Sequence, residues 1–434
     1  MSMRNDQSAS GRYVPEDRCL APPWIEGAAT PGERGRGFGL AAADRLLVNK
    51  MLQSLGGPPI TIVLWNGEEI AGRGGIHPER VFIRDRGALL KLVANPEYWF
   101  GDLYVDKRIE IAGDLLTLIE AVYRSLQSTS KGPDLQKRIA EFLDSRRNSL
   151  DDSRRNIHHH YDIGNEFYRL WLDGQMAYTC AYFPEGTLGL EAAQVAKMDH
   201  ICRKLWLKPG ENVVEAGCGW GAMALHMARH YGVTVKAFNI STEQLAFARD
   251  RARAEGLQDR VEFIEDDYRN LSGEFDAFVS VGMLEHVGPA HYQGLGGVIR
   301  RSLKVNGRGL IHSIGRDSPG ALNAWIARRI FPGARPPSLS QMMQIFEPAG
   351  FSVLDIENLR LHYARTLEHW LQRFEASADR VAGMFDPAFV RAWRLYLAGS
   401  VAAFRSGDMQ LFQVVFARSG CNDIPWTRLH QYPR

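Results

Sequence analysis

From Leu40 onward the chain switches between two kinds of apolar spacing, and the switch divides it. Between Leu40 and about Leu126, apolar positions fall at helical intervals through AADRLLVNKMLQSL and run as short strands through ITIVLWNGEEI and VFIRD. They return to helical spacing in ALLKLVANP and DLLTLIEAVYRSL. These elements predict a small α+β domain over residues 40–126. Residues 1–39 are rich in Gly, Pro and charge, as in PGERGRG, hold no period, and read as a mobile N-terminal arm. Residues 127–157 mix turn formers with the basic pairs Arg146/Arg147 and Arg154/Arg155 and read as a linker. Over residues 158–434, helical patterns alternate with the apolar runs NVVEAG, VTVKAFN, VEFIED, FDAFVSVG, GLIHSIG and LFQVVFAR. Strands separated by helices predict a largely parallel, doubly wound α/β sheet.

Composition narrows the class. A chain of 434 residues leaves room for two to three domains and excludes a small stapled module. Lys plus Arg is 52 against 50 for Asp plus Glu, a net charge of +2, so the strongly basic footprint of a nucleic-acid binder is absent. Cys19, Cys180, Cys202, Cys218 and Cys421 form an odd, scattered set without a CxxC pair, which predicts a reducing cytoplasm. The opening MSMRNDQSAS has no apolar leader core, and no uncharged apolar run reaches the roughly 18 residues of a spanning helix. Any work on lipid is therefore expected from one face of the protein.

The sharpest local signal is Val213-Val214-Glu215-Ala216-Gly217-Cys218-Gly219-Trp220-Gly221-Ala222, an apolar strand that runs through glycines into the helical pattern AMALHMARHYG. Glycines let a ligand approach the backbone, and the following helix offers free N–H groups. The spacing is GxGxG rather than GxGxxG, and no P-loop lysine follows, which tilts toward a nucleotide-like ligand without a diphosphate. Cys218 reads as a small apolar filler. The second strand ends in Phe238-Asn239-Ile240-Ser241-Thr242-Glu243-Gln244 and the third in Glu265-Asp266-Asp267-Tyr268-Arg269, which places polar groups for a ribose and an adenine. Together the three strand ends describe an S-adenosylmethionine pocket. The competing reading makes Ser241, Glu243 and Asp267 mere helix caps. His158-His159-His160 invites a metal, but adjacent histidines point different ways and lack spaced partners, so no metal is expected.

With these motifs in hand, the chain resembles the cyclopropane-fatty-acid synthase family, which includes the mycolic-acid cyclopropane synthases. The resemblance runs from about His158 to Arg418 and rests on NIHHHYDIGNEFYRLWLD, MAYTCAYF, EAGCGWGAMA, NISTEQ, DDYRNL, VGMLEHVG, LIHSIG, IFPGARPPS, HYARTLEHWLQRF and FRSGDMQLFQVVFAR. It implies a Rossmann-like class I S-adenosylmethionine methyltransferase fold. The implied activity is methyl transfer to the cis double bond of an unsaturated acyl chain in a membrane phospholipid. An isolated alkene is a poor nucleophile, so the reaction needs an activated donor held in line with it. A carbocation follows, and ring closure needs a base, which the family supplies as bound bicarbonate. His160-Tyr161-Asp162 then reads as the family's HYD segment near the cofactor.

Carried over by motif, the resemblance assigns the bicarbonate cradle to Glu285 of GMLEHVG, His312 of LIHSIG, Tyr363 of HYARTL and the backbone around Cys180 of YTCAYF. His and Tyr donate to a small oxyanion, and Glu285 accepts its hydroxyl proton. Cofactor contacts are assigned to Tyr178, Thr179, Glu215, Gly217, Gly219, Trp220, Gly221, Asn239, Ser241, Gln244, Asp267 and Tyr268, with His286 left as structural or secondary. The family commonly has a cysteine before FRxxDxQ where this chain has Ser400. That departure opens a methylene- or methyl-branched product as the alternative to a cyclopropane ring. A methyltransferase for a soluble acceptor and a non-catalytic binding protein remain rival readings. Trp325-Ile326-Ala327-Arg328-Arg329-Ile330-Phe331 with Pro332–Pro337 is amphipathic and basic, which suits an anionic headgroup surface; an ordinary helix packed on the sheet is the rival. The expectation is a peripheral protein of the inner membrane face, with a homodimer compatible with it.

Overall fold

A computed structural model describes residues 34–128, 163–186 and 188–432. The expected linker beyond Ser128 and the His158–Asp162 run lie outside the described residues. The first helix starts at Arg34, inside the stretch read as an arm, and continues to Ser54. A four-stranded sheet follows, in the order β2-β1-β3-β4, from β1 (Thr61–Val63), β2 (Glu69–Ala71), β3 (Arg80–Ile83) and β4 (Ile109–Ala112). Two helices, Arg86–Ala94 and Pro96–Val105, sit between β3 and β4, and their starts are written in the sequence. Asp85 accepts from the Ala88 amide, Asn95 accepts from the Tyr98 amide, and Pro96 fills a position whose N–H would be orphaned anyway. The helix Leu115–Ser128 closes this domain.

The larger domain is built on seven strands in the order β10-β11-β9-β8-β5-β6-β7: β5 (Asn212–Ala216), β6 (Thr234–Asn239), β7 (Val261–Glu265), β8 (Phe275–Val281), β9 (Leu303–Arg316), β10 (Phe351–Asn358) and β11 (Met409–Arg418). Strands β5 to β9 run parallel, and β11 is antiparallel to both its neighbours. Chain order departs in opposite directions from β5 and β8, so the crevice outside their carboxyl ends is where such a sheet binds ligands. Strand β10 escapes the sequence pattern. Its ladder slips between Val353 and Asp355, which turns Asp355 inward and leaves Ile356 38 % exposed. The buried Asp355 meets Arg428 at 2.7 Å and Lys204 at 3.7 Å, and those ion pairs invert the alternation a strand normally shows.

The two domains meet through the helix Ala324–Arg329, and this corrects its expected role at a headgroup surface. Trp325 is 4 % exposed and packs on Gly101, where a Cβ would lie 2.4 Å from the indole. Its Nε1 donates to Asp102 at 3.0 Å, and Arg328 and Arg329 donate to the same carboxylate at 2.6 and 3.1 Å. The amphipathic face covers protein. Elsewhere along the seam, Arg391 donates to the Tyr104 carbonyl and Arg405 to Glu120.

Candidate active site

The loop after β5 is shaped by backbone conformation. Gly217, Gly219 and Gly221 all take positive φ, at 84°, 53° and 81°. A Cβ on Gly217 would strike Met283 at 2.9 Å, and one on Gly221 would strike Phe263 at 2.7 Å and Ala248 at 2.9 Å. A Cβ on Gly219 would meet nothing within 4 Å, because it faces an open cleft. Gly221 then starts the helix Ala222–Tyr231 and brings no capping side chain of its own, while the Glu215 carboxylate accepts from the Ala224 amide in the first turn. This is the open, amide-lined cradle a nucleotide-like cofactor needs.

Around that loop the cleft takes in Tyr178, Thr179, Glu215, Gly217, Gly219, Trp220, Asn239, Gln244, Asp267 and Tyr268 from the expected set. Asn239 donates to Gln244 at 2.8 Å and receives the Ile240 amide at 2.8 Å, so the second strand end is locked before any ligand arrives. Ser241 does not line the cleft. It is 1 % exposed and caps the helix Thr242–Ala254 by accepting from the Gln244 amide, so the capping reading holds there. Asp267 does both, lining the cleft while accepting from the Arg269 amide at 2.9 Å. Trp220 donates to Asn165 at 2.7 Å, and Tyr178 shares a hydroxyl contact of 2.8 Å with Tyr396.

Two further lining residues escape the sequence pattern. Lys197, 2 % exposed, donates to Thr179 Oγ1 at 2.9 Å, and burial lowers its pKa although Asp173, Cys180 and Glu215 pull the other way. Burial likewise pushes the Glu215 carboxyl up to about 8 against the attraction of Lys197. His286 lines the cleft as well, and burial holds it down at about 4, so its ring is neutral at physiological pH. Lys197 lies on the buried stripe of the helix Leu190–Lys204, where sequence alone suggests a solvated cation.

The expected cradle residues form a layer behind the cleft and do not line it. They come from two places in the fold. Glu285, in a short 3₁₀ turn after β8, reaches β9, where its Oε1 accepts from the Ile314 amide at 2.6 Å, two residues past His312. The His312 carbonyl takes the Gly282 amide at 2.9 Å. Burial pushes the Glu285 carboxyl up to about 7, and burial together with the charges of Lys197 and Lys204 drives His312 well below its ordinary range. Glu285 Oε2 and His312 Nε2 are buried with no hydrogen-bond partner among the described residues. Tyr363 and Cys180 come from two neighbouring segments of one buried cluster. Tyr363 sits in the first turn of the helix Arg360–Ala376, which grips the other segment by accepting the Ala181 amide on Thr366 and the Phe183 amide on His362, both at 3.0 Å. Burial raises the Cys180 thiol far above its ordinary pKa, so the sulfur is inert and only its backbone is offered. Ser400 is half-buried on the helix Pro387–Ser406, one turn before Phe404, whose ring lies 4.6 Å from Tyr363. Tyr178 also contacts Tyr168, Trp171 and Trp370, which makes the wall behind the cleft densely aromatic. Among the described residues, no three His, Cys, Asp or Glu side chains are placed to hold a metal ion.

Residues 148–414 match the family model described as mycolic acid cyclopropane synthetase, and residues 47–133 match a domain of unknown function, DUF7884. A probable fatty acid methyltransferase of Pseudomonas putida is 36 % identical over 86 % of this chain and 96 % of its own. The cyclopropane-fatty-acyl-phospholipid synthase of Escherichia coli K12 is 43 % identical over 61 % of this chain and 68 % of its own. A solved mycolic acid cyclopropane synthase, complexed with SAH and CTAB, superposes with a TM-score of 0.58 at 28 % identity, covering 61 % of this chain and 97 % of that one. Glycine loop, switch-point cleft and aromatic wall thus stand in a chain that belongs to the mycolic acid cyclopropane synthetase family of S-adenosylmethionine-dependent methyltransferases.

Proposed function

We propose that the protein methylates the cis double bond of an unsaturated acyl chain in a membrane phospholipid and closes a cyclopropane ring, working from the inner face of the membrane. The observation that carries this reading is the pair of buried, unpartnered atoms Glu285 Oε2 and His312 Nε2 behind the cofactor cleft. A buried polar group without a partner costs about 1–3 kcal/mol, so two of them at the end of β8 and β9 suit a small polar ligand. S-adenosylmethionine supplies an electrophilic methyl group when bound. Gly217, Gly219 and Trp220 hold its place, and the neutral His286 adds no charge that would repel a sulfonium. Tyr178, backed by the buried rings of Tyr168 and Trp370, excludes water and offers an electron-rich ring at the cleft wall to a cationic centre in the acyl chain. Glu285, His312, Tyr363 and the backbone at Cys180 would hold a bicarbonate ion, which would supply the base for ring closure. With a pKa near 7, Glu285 is poised to take or give a proton at neutral pH.

No helix among the described residues is long and apolar enough to cross a membrane, which fits peripheral attachment. Ser400 supports a second reading, in which a different proton leaves the same cation and a branched chain results. Lipid mass spectrometry of cells expressing the protein tests the methylation: acyl chains one CH₂ heavier are expected, and their absence with folded protein present would defeat it. Fragmentation of that product separates ring from branch. Glu285→Gln is expected to slow turnover by roughly 10²-fold with S-adenosylmethionine affinity retained, as for loss of an oriented acid–base group. Parental turnover would remove Glu285 from the mechanism.

A further inference from the structure

A rung of polar side chains crosses the sheet from the proposed base site to its edge. In the antiparallel ladder His312 of β9 faces Gln413 of β11, and Gln413 in turn faces Glu357 of β10. Residues opposed on neighbouring antiparallel strands present their side chains to the same face, roughly 5 Å apart. Gln413 Nε2 lies 3.1 Å from His312 Nδ1, which closes the first link. The helix Leu190–Lys204 brings Lys197, His200 and Lys204 to this region, at intervals of three and four that put them on one stripe, and none is more than 2 % exposed. At the far end of the rung His200 Nε2 lies 2.7 Å from Glu357 Oε2, and Lys204 Nζ lies 2.6 Å from the same oxygen. Strand β10 is the sheet edge, and the Glu357 side chain keeps 25 % of its exposure. The rung therefore sets a fully buried imidazole in line with a carboxylate at the solvent edge.

With its Nε2 proton committed to a carboxylate, His200 turns a bare Nδ1 lone pair to the interior, and that nitrogen is buried with no hydrogen-bond partner among the described residues. An imidazole oriented by a carboxylate on one nitrogen and open on the other is the arrangement of a base. Gln413 Oε1, in the middle of the rung, is unpartnered too. We infer that His200, oriented by Glu357, is the outlet for the proton collected at the base site, a role that rests on the reading of that site given above. One proton per turnover moves from the base site to His200 Nδ1, forming an imidazolium beside the Glu357 carboxylate, and then passes to solvent water at the β10 edge. Only N–H and O–H bonds form and break, and no electrons change hands. Burial alone would raise Glu357, but His200 and Lys204 hold it down at about 2, so the orienting carboxylate stays charged. Tyr182 stacks on the ring at 4.3 Å and Tyr432 lies at 5.9 Å; His362 stacks on Tyr182, Asp355 pairs with Arg428, and Lys197, Lys204 and His312 complete the titratable surroundings.

His200→Gln and His200→Ala in the full chain, assayed with S-adenosylmethionine and unsaturated phospholipid vesicles, test the outlet. The expected result is kcat lower by roughly tenfold, less than the ~10²-fold expected of a group acting directly on substrate. KM for S-adenosylmethionine should hold, and kcat should rise with buffer concentration. Added imidazole should restore His200→Ala turnover, whereas pyrazole, of the same shape but a far weaker base, should not. Turnover within twofold of the parent from pH 6 to 9, or equal rescue by both compounds, would overturn the inference. Glu285→Gln run in parallel keeps the failures apart. If that variant is slow while the His200 variants are normal, only the outlet falls; if it matches the parent, the base-site reading falls first.

Discussion

The cofactor cleft and the layer behind it are built from opposite materials. The cleft is made of backbone: three glycines in left-handed conformation, a helix start, and strand ends pinned by Asn239 and Asp267. The layer behind it is made of desolvated side chains, with His200, Glu285 and His312 all at most 5 % exposed. Backbone shape limits what the first region binds, even though burial also shifts Lys197, Glu215 and His286 on its wall, whereas the second region has little but its buried side chains to act with. A substitution in the cleft should therefore show as lost space or lost backbone freedom, and one in the layer should show as a changed pH profile. The largest contrast lies within the glycine loop itself. Gly221→Ala combines a left-handed residue, costing about 1–2 kcal/mol, with overpacking against Phe263 and Ala248, costing about 1–3 kcal/mol more. Gly219→Ala meets no protein atom and carries only the conformational cost of about 1–2 kcal/mol, but its methyl enters the cleft. Urea unfolding should show Gly221→Ala as the far less stable variant, and titration should show Gly219→Ala losing cofactor affinity out of proportion to its stability. Equal stability losses would mean that Phe263 yields freely.

What the sequence makes legible follows the same division. Glycines, caps and strand ends are local, so EAGCGWGA and the polar ends of β6 and β7 point to the cleft by themselves, and Ser241 misleads only because caps and ligand contacts use the same residue types. The layer behind is a product of topology. Lys197, His200 and Lys204 look like a solvated helix face until the sheet covers them, and the His312–Gln413–Glu357 rung exists only once β9, β11 and β10 pair. Strand β10 is hidden in the pattern because Asp355 points inward to its ion pairs while Ile356 points out. The helix Ala324–Arg329 shows its amphipathic face correctly, but a stripe of Trp and Arg cannot say whether lipid or a neighbouring domain will cover it.

A pH series sharpens the contrast from the side of the layer. The Glu285 carboxyl titrates near 7 in the fold against its ordinary 4.5, so folding favours the protonated form. That contribution is complete below pH 4.5 and is lost as pH rises through 7, an effect on the order of 3 kcal/mol at one pKa unit per ~1.4 kcal/mol. Gln at this position accepts from the Ile314 amide without titrating. Thermal unfolding should therefore show Glu285→Gln gaining stability relative to the parent between pH 5 and pH 8. Glu215, raised in the same direction, is present in both proteins and cancels. A stability difference independent of pH would place the charge of Glu285 in a far wetter setting than its 5 % exposure indicates.

The smallest effect is expected at the seam, where the interaction is neither backbone shape nor a deeply buried charge. Asp102 keeps 16 % exposure of its side chain and gathers Trp325 Nε1, Arg328 and Arg329 on one carboxylate. Burial alone would raise its pKa, but the two arginines and the indole lower it, so the ion is intact at neutral pH. Asp102→Ala leaves an indole N–H at the seam unmet and two partly exposed cations unpaired, a cost of about 1–2 kcal/mol that falls with added salt because Arg329 is 57 % exposed. The loss should appear between the domains: earlier release of the N-terminal domain in limited proteolysis, with the glycine loop and cofactor affinity unchanged. Beyond the helix, Phe331 meets the ring of Tyr396 edge-on, and the Tyr396 hydroxyl meets Tyr178 at the cleft wall, so a loosened seam has one aromatic path to the acceptor side of the site. A raised KM for lipid with the parental KM for S-adenosylmethionine would trace that path, and an unchanged lipid KM would confine Asp102 to holding the domains together.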